Sequence, residues 1–185
     1  RSPEGYTLDF PRFEFEPVPL PPPVLAEALG VTPVEVFKVT VDPNYYAVLP
    51  SEEAVRNLTP NLSLLQTLHP FGVVVTAHGT SHDMVSRYFA PSYAIPEDPT
   101  TGSIHCALAP YWALKIGRTS LTAFQASARG GSMRPMIDSG AQVTVEGAAA
   151  EAHFLEVVGA AGALVAPAEQ LALVLASLSH VTVGA

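Results

Sequence analysis

Two adjacent carboxylates, Glu97 and Asp98, precede Pro99. A Thr101-Gly102-Ser103 step then opens the apolar stretch IHCALAPYWALKIG. A helix N-terminus exposes unpaired N–H groups and a partial positive charge, so it holds carboxylates and phosphates well. Glycine lets a ligand approach the backbone, and a Ser or Thr hydroxyl adds a donor. Adjacent residues of an extended segment point in opposite directions, so only one of the two carboxylates can face that helix end. Pro99 keeps Asp98 out of the helical region. A carboxyl held beside a bound carboxylate has a raised pKa, which suits a general acid. Read by composition alone, the same residues are an ordinary helix cap and two solvated loop acids.

Other chemistry-bearing residues fit plainer roles. His78, His82 and Asp83 lie in a polar loop, HGTSHD, but without the third and fourth ligands of a metal centre; no metal is expected. His105, one turn into the helix, suits packing or support of the site better than a base. Cys106, near the same helix start, reads as a buried thiol among Ala107 and Leu108. Arg87 could meet a substrate or pair with Glu97 or Asp83. Arg129-Gly130-Gly131 reads as a tight turn, and Tyr88, Phe89, Tyr111 and Trp112 as core.

The elements that must position these residues follow from the pattern. GYTLDFP alternates like a short strand ended by Pro11, and FEPVPLPPPVL is a stiff, extended connector, expected to be buried because of Leu20 and Val24. VLAEALG is a short helix closed by Gly30. VEVFKVTVDPNYYAVLP predicts two strands around an Asp-Pro-Asn turn. Ser51 caps the helix EEAVRNL. FGVVVTA, MVSRYFA, SLTAFQASA, MRPMI and AQVTVEG read as strands, with turns at Arg129-Gly130-Gly131 and Ser139-Gly140. Pro110 predicts a kink or early break in the central helix. The sum is an α+β domain, a mainly antiparallel sheet wrapped around one apolar helix. The Ala- and Leu-rich segment 150–185 reads as a helical tail for packing or a homodimer contact; its uncharged run is too short to span a bilayer.

Composition sets the outer bounds. The chain is 48% hydrophobic and only 14% charged, with a net charge of -8, so a nucleic-acid or anionic-membrane partner is not expected. One cysteine precludes an internal disulfide and suggests a reducing, cytoplasmic compartment. The start, RSPEGYTLDFP, has neither a signal-peptide core nor an initiator methionine, so a processed or partial chain is one of the expectations.

A long ordered motif resembles the second lobe of the PhzF-like isomerases of the phenazine-biosynthesis family, whose fold is shared with diaminopimelate epimerase. It runs Ser86-Arg87-Tyr88-Phe89-Ala90-Pro91, Glu97-Asp98-Pro99, Thr101-Gly102-Ser103, His105, Ala109-Pro110-Tyr111-Trp112, Gln125-Ala126-Ser127 and Arg129-Gly130-Gly131. The resemblance spans roughly Tyr6 to Ala149. It implies a cofactor-free isomerase or epimerase acting by acid–base proton transfer on a small carboxylate-bearing metabolite. Two lobes face a shared cleft, each bringing a helix N-terminus and a proton-transfer group.

Carried across by position, Asp98 is the acid/base, and Thr101, Gly102, Ser103 and His105 line the substrate. The resemblance further implies a first lobe bearing an essential glutamate and a Gly-His pair, neither of which this sequence presents. The expected organisation is therefore a second lobe over 1–149, with 1–11 as the end of the first lobe or a crossover strand, 12–23 as connector and 150–185 as tail. The complementary lobe, or a partner chain, is the implied partner. A non-catalytic binding or assembly module is the alternative. Two residues depart from the family pattern: Ala94 replaces the usual glycine, and Ile104 the usual alanine, where its extra methyl groups are expected to crowd the anion cradle.

Overall fold

The structure, a computed structural model, describes residues 5–139 and 142–148; the tail expected over 150–185 lies outside the described residues. A single mixed sheet runs through it, in the order β1-β10-β9-β8-β6-β5-β4-β3-β2, with β7 pairing beside β6. The strands are β1 (Gly5–Pro11), β2 (Phe15–Pro17), β3 (Glu35–Val39), β4 (Asp42–Val48), β5 (Gly72–His78), β6 (Met84–Ala90), β7 (Ile95–Asp98), β8 (Ala123–Gln125), β9 (Gly131–Ile137) and β10 (Gln142–Ala148). Only β4–β5 and β6–β8 pair in parallel; the other neighbours are antiparallel. Parallel neighbours need a crossover. Helices α2 (Glu52–Arg56) and α3 (Leu62–Gln66) lie in the first connection, α4 (His105–Ile116) in the second, and α1 (Pro23–Leu29) precedes β3.

The sheet curls into a half-barrel, and strand alternation gives it two cores. On β5, Val74 joins Tyr46, Leu108 and Trp112 on the concave side around α4. Its neighbours Val73 and Val75 join Leu25, Val55 and Leu65 under α1 to α3 on the convex side. Phe37 is stacked between Tyr46 at 4.9 Å and Tyr111 of α4 at 4.6 Å, which locks the helix onto β3 and β4.

The outermost strands β1 and β2 are joined by Arg12–Glu14 alone, so the two rims of the curl meet within about 15 Å of chain. Phe13 in that link donates its N–H to the Cys106 carbonyl at 2.9 Å. That carbonyl is the one Pro110 leaves without an i→i−4 donor. Accordingly α4 runs unbroken from His105 to Ile116, and the break expected at Pro110 does not occur. The proline's missing hydrogen bond has become a tertiary one that fastens the rim to the helix.

Several local expectations are corrected. Asp42, Pro43 and Asn44 begin β4 rather than forming the turn, which falls on Thr40 and Val41. The side chains of Asn44 and Tyr46 both bind Asp42, and burial of this local cluster in the concave core overrides turn propensity. The proline-rich segment supplies β2, and Leu20 is 92% exposed rather than buried. Pro19, Pro21 and Pro22 lack donors, so this stretch cannot join the ladder that would turn Leu20 inward. Helix α3, capped by Asn61 accepting from the Leu64 N–H at 3.2 Å, has no counterpart in the sequence reading.

Candidate functional site

The edge strand β7 splits the two carboxylates as its alternation requires. Glu97 receives both Nε and Nη2 of Arg87, at 2.7 and 3.0 Å, while Nη1 of the same guanidinium donates to the Val55 and Leu58 carbonyls. Glu97 is thus committed to tying β6 and β7 to the end of α2. Asp98 goes the other way. Thr101 Oγ1 donates to Asp98 Oδ2 at 2.6 Å, and the Thr100 N–H also favours the carboxylate form. Burial outweighs these donors and the more distant Arg129 charge, and holds the Asp98 carboxyl above the ordinary aspartate range.

The loop that carries Asp98 into α4 is fastened from beneath. Gln125, fully buried at the end of β8, accepts the Thr101 N–H at 2.7 Å and donates to the Asp98 carbonyl at 2.7 Å. Ser127 Oγ donates to the Pro99 carbonyl at 2.7 Å, and Arg129 Nη2 donates to Thr100 Oγ1 at 3.0 Å. His105 Nδ1 donates to the Thr101 carbonyl at 3.0 Å, which fixes its tautomer. Burial pushes the His105 imidazole down to about 4, so the ring is neutral. The first helical bond runs from the His105 N–H to the Gly102 carbonyl. The N–H groups of Gly102 and Ser103 therefore precede the helix.

The expected residues do converge: Asp98, Thr101, Gly102, Ser103 and His105 share one loop and helix start. Their exposure differs. Ser103 is exposed and Asp98 half-buried, whereas Thr101, Gly102 and His105 are buried. His105, expected beside the substrate, is fully buried and bonds the backbone of Thr101. Ile104 does not crowd the cradle; its side chain is 1% exposed and packs in the concave core. Cys106 is buried, and burial raises its thiol well above the ordinary range. Among the described residues no group of three His, Cys, Asp or Glu stands close enough to hold a metal ion. No helix there is long and apolar enough to cross a membrane.

The sequence profile of the phenazine biosynthesis-like protein family (PhzC-PhzF) matches residues 22–153, which takes in every residue of this loop. The chain belongs to the phenazine biosynthesis-like family. An uncharacterized isomerase of Pseudomonas aeruginosa is 46% identical over 123 residues, covering 66% of this chain and 46% of that protein. A phenazine biosynthesis-like domain-containing protein of Rattus norvegicus is 31% identical over 169 residues, covering 81% and 58%. The crystal structure of a PhzF-family protein of Enterococcus faecalis superposes with a TM-score of 0.74 at 39% identity, covering 80% of this chain and 55% of that one. The chain thus spans about half the length of the relatives it matches.

The sequence motif includes Gln125 but assigns it no role. The available signal was an amide at a strand end followed by Ser127: a buried Gln must satisfy several donors and acceptors, and the backbone of a loop offers them. Ala94, at the position where the family resemblance expects glycine, adopts φ 59°, the left-handed region in which glycine is favoured.

Proposed function

We propose that this lobe supplies one wall of the active site of a cofactor-independent isomerase or epimerase. On this reading it moves a proton on a small carboxylate-bearing metabolite. Asp98 is the proton-transfer group, and the Gly102 and Ser103 donors at the start of α4 grip the substrate carboxylate. The observation that carries the reading is the juxtaposition of a half-buried carboxyl, held above its usual pKa, with the start of a twelve-residue helix that no side chain caps. Asp98 would hold its proton at a pH where other aspartates are ionised, and deliver it beside an anchored anion. The family's isomerase names support the reaction class.

Residues 1–149 act here as the second lobe. A first lobe, or a partner chain, provides the opposite wall and the second proton-transfer group; half-length coverage of the relatives supports this. The same coverage favours one other reading, a binding module without chemistry of its own. The deciding test is deuterium incorporation, followed by NMR, into a panel of small carboxylic acids in heavy water with a complementary first lobe supplied. Incorporation that vanishes in Asp98→Asn supports the enzyme; incorporation unchanged by that substitution overturns it. Carboxylate binding without incorporation in either protein leaves the module.

A further inference from the structure

The alternation that turns Ala47 of β4 to the convex core turns Asn44 and Tyr46 toward α4. Tyr46 Oη and Asn44 Nδ2 both donate to the Asp42 carboxyl, and burial raises that carboxyl's pKa. Gly72 stands opposite Asn44 on β5, and there is no room there for a side chain. A Cβ would lie 2.4 Å from Asn44 Oδ1, 2.9 Å from the Tyr88 ring and 3.0 Å from its hydroxyl. Asn44 and Tyr88 therefore converge on the bare face of Gly72. Asn44 Oδ1 is buried without a hydrogen-bond partner among the described residues. Leaving such an atom unpaired is costly, as is burying the Asp42 carboxyl, so packing alone gives no reason for the cluster.

Tyr88 is the cross-strand partner of Asp98 in the β6–β7 pair. Directly opposed residues on one face bring their Cβ atoms to about 5 Å, within reach of an aromatic ring. We propose that Tyr88 is a positioning residue for Asp98: Asn44, itself held by Asp42, fixes the Tyr88 ring over Gly72 as the wall that keeps water from the Asp98 carboxyl. The inference rests on Asp98 serving as the proton-transfer group, and adds to it a route by which β4 and β5 set that group's ionisation. The titratable and charged groups that act on Asp98 are Tyr88 from β6 and Arg129 from the turn before β9; neutral His105 stands behind Thr101. Tyr88 also feels the Asp42 charge, which links Asp42 to the site.

The test is a carbon-13 titration of the aspartate side-chain carboxyls in this chain, with Asp98 assigned by the signal lost in Asp98→Asn. In Tyr88→Ala the Asp98 midpoint falls toward the ordinary aspartate range, while that of Asp83 stays in place. Gly72 lies two strands from Asp98, yet Gly72→Ala displaces Asn44 and Tyr88 and lowers the Asp98 midpoint too; the effect disappears in the Tyr88→Ala background. Should Tyr88→Ala fail to fold, Tyr88→Thr suits the strand but is too short to screen the carboxyl, and gives the same downward shift. An Asp98 midpoint unmoved in both Gly72→Ala and Tyr88→Thr overturns the positioning role. Deuterium incorporation that persists in Asp98→Asn overturns the proton-transfer reading, whatever the midpoints do.

Discussion

Asp83 and Asp98 both sit beside a strand and both accept a threonine hydroxyl, yet their carboxyls are pushed in opposite directions. Burial pulls each pKa upward. At Asp83 it loses to the Thr122 N–H and hydroxyl and to Arg118, and the carboxyl is held below its ordinary range. At Asp98 it wins over Thr101, Thr100 and Arg129. Two things differ: Asp98 is the more deeply buried, and only Asp83 of the two has a cation in direct contact. Arg118 donates to Asp83 itself, whereas Arg129 donates to Thr100 and reaches Asp98 only through space. Glu52 sides with Asp83: the Thr80 hydroxyl and N–H, with Arg56 beside them, draw it down to about 2. Hydroxyl and N–H donors lower a carboxyl's pKa, a contacting arginine lowers it further, and burial opposes both. Asp98 is oriented but left free to hold a proton.

The comparison breaks most visibly at Asp98 itself. Replacing it by Asn is expected to lower proton exchange into substrate by about 10²–10⁴-fold with a complementary lobe present, the usual contribution of a general acid–base group. Next in size is Arg87→Met. It strands Glu97 and two helix-end carbonyls, and urea unfolding should register a loss of about 3 kcal/mol. Gln125→Leu leaves the Thr101 N–H and the Asp98 carbonyl without their buried partner. That should cost about 2 kcal/mol and free the loop, so amide exchange of Thr101 should rise.

The pH dependence of stability then separates the two aspartates by sign. The folded Asp83 pKa is depressed, so its contribution is present above the unfolded value and lost as pH falls through the folded one. Asp83→Asn therefore destabilises at neutral pH, and the difference fades in acid. The folded Asp98 pKa is raised, so its ionisation opposes folding once pH rises past the unfolded value. Asp98→Asn therefore stabilises at neutral pH, again with a difference that fades in acid. Paired urea titrations across pH check both signs. The smallest effect is at Ala94, whose left-handed backbone disfavours a side chain. Ala94→Gly should gain about 1 kcal/mol and make the entry to β7 easier to form.

Much of this was legible in the sequence because local chemistry and tertiary structure agree there. Ser51 caps α2 with its Oγ accepting from the Ala54 N–H at 3.1 Å, and Gly30 closes α1 in the left-handed conformation. The alternating Glu97 and Asp98 diverge as an extended segment must. The misreadings arise where a distant residue decides. Asp42-Pro43-Asn44 resembles a turn until Tyr46 and the concave core claim its polar side chains. Pro110 should break a helix unless a donor, here the Phe13 N–H, is waiting for the carbonyl it frees. Gln125 gives no outward sign that its amide holds the loop, because its partners lie 24 and 27 residues back along the chain.

The most direct single measurement is the carboxyl titration of Asp98 and Asp83 followed in one sample of this chain by carbon-13 NMR. The expected result is an Asp98 midpoint above the ordinary aspartate range and an Asp83 midpoint below it. An Asp98 carboxyl that ionises together with Asp83, or before it, would contradict the claim that this site is built to keep a proton.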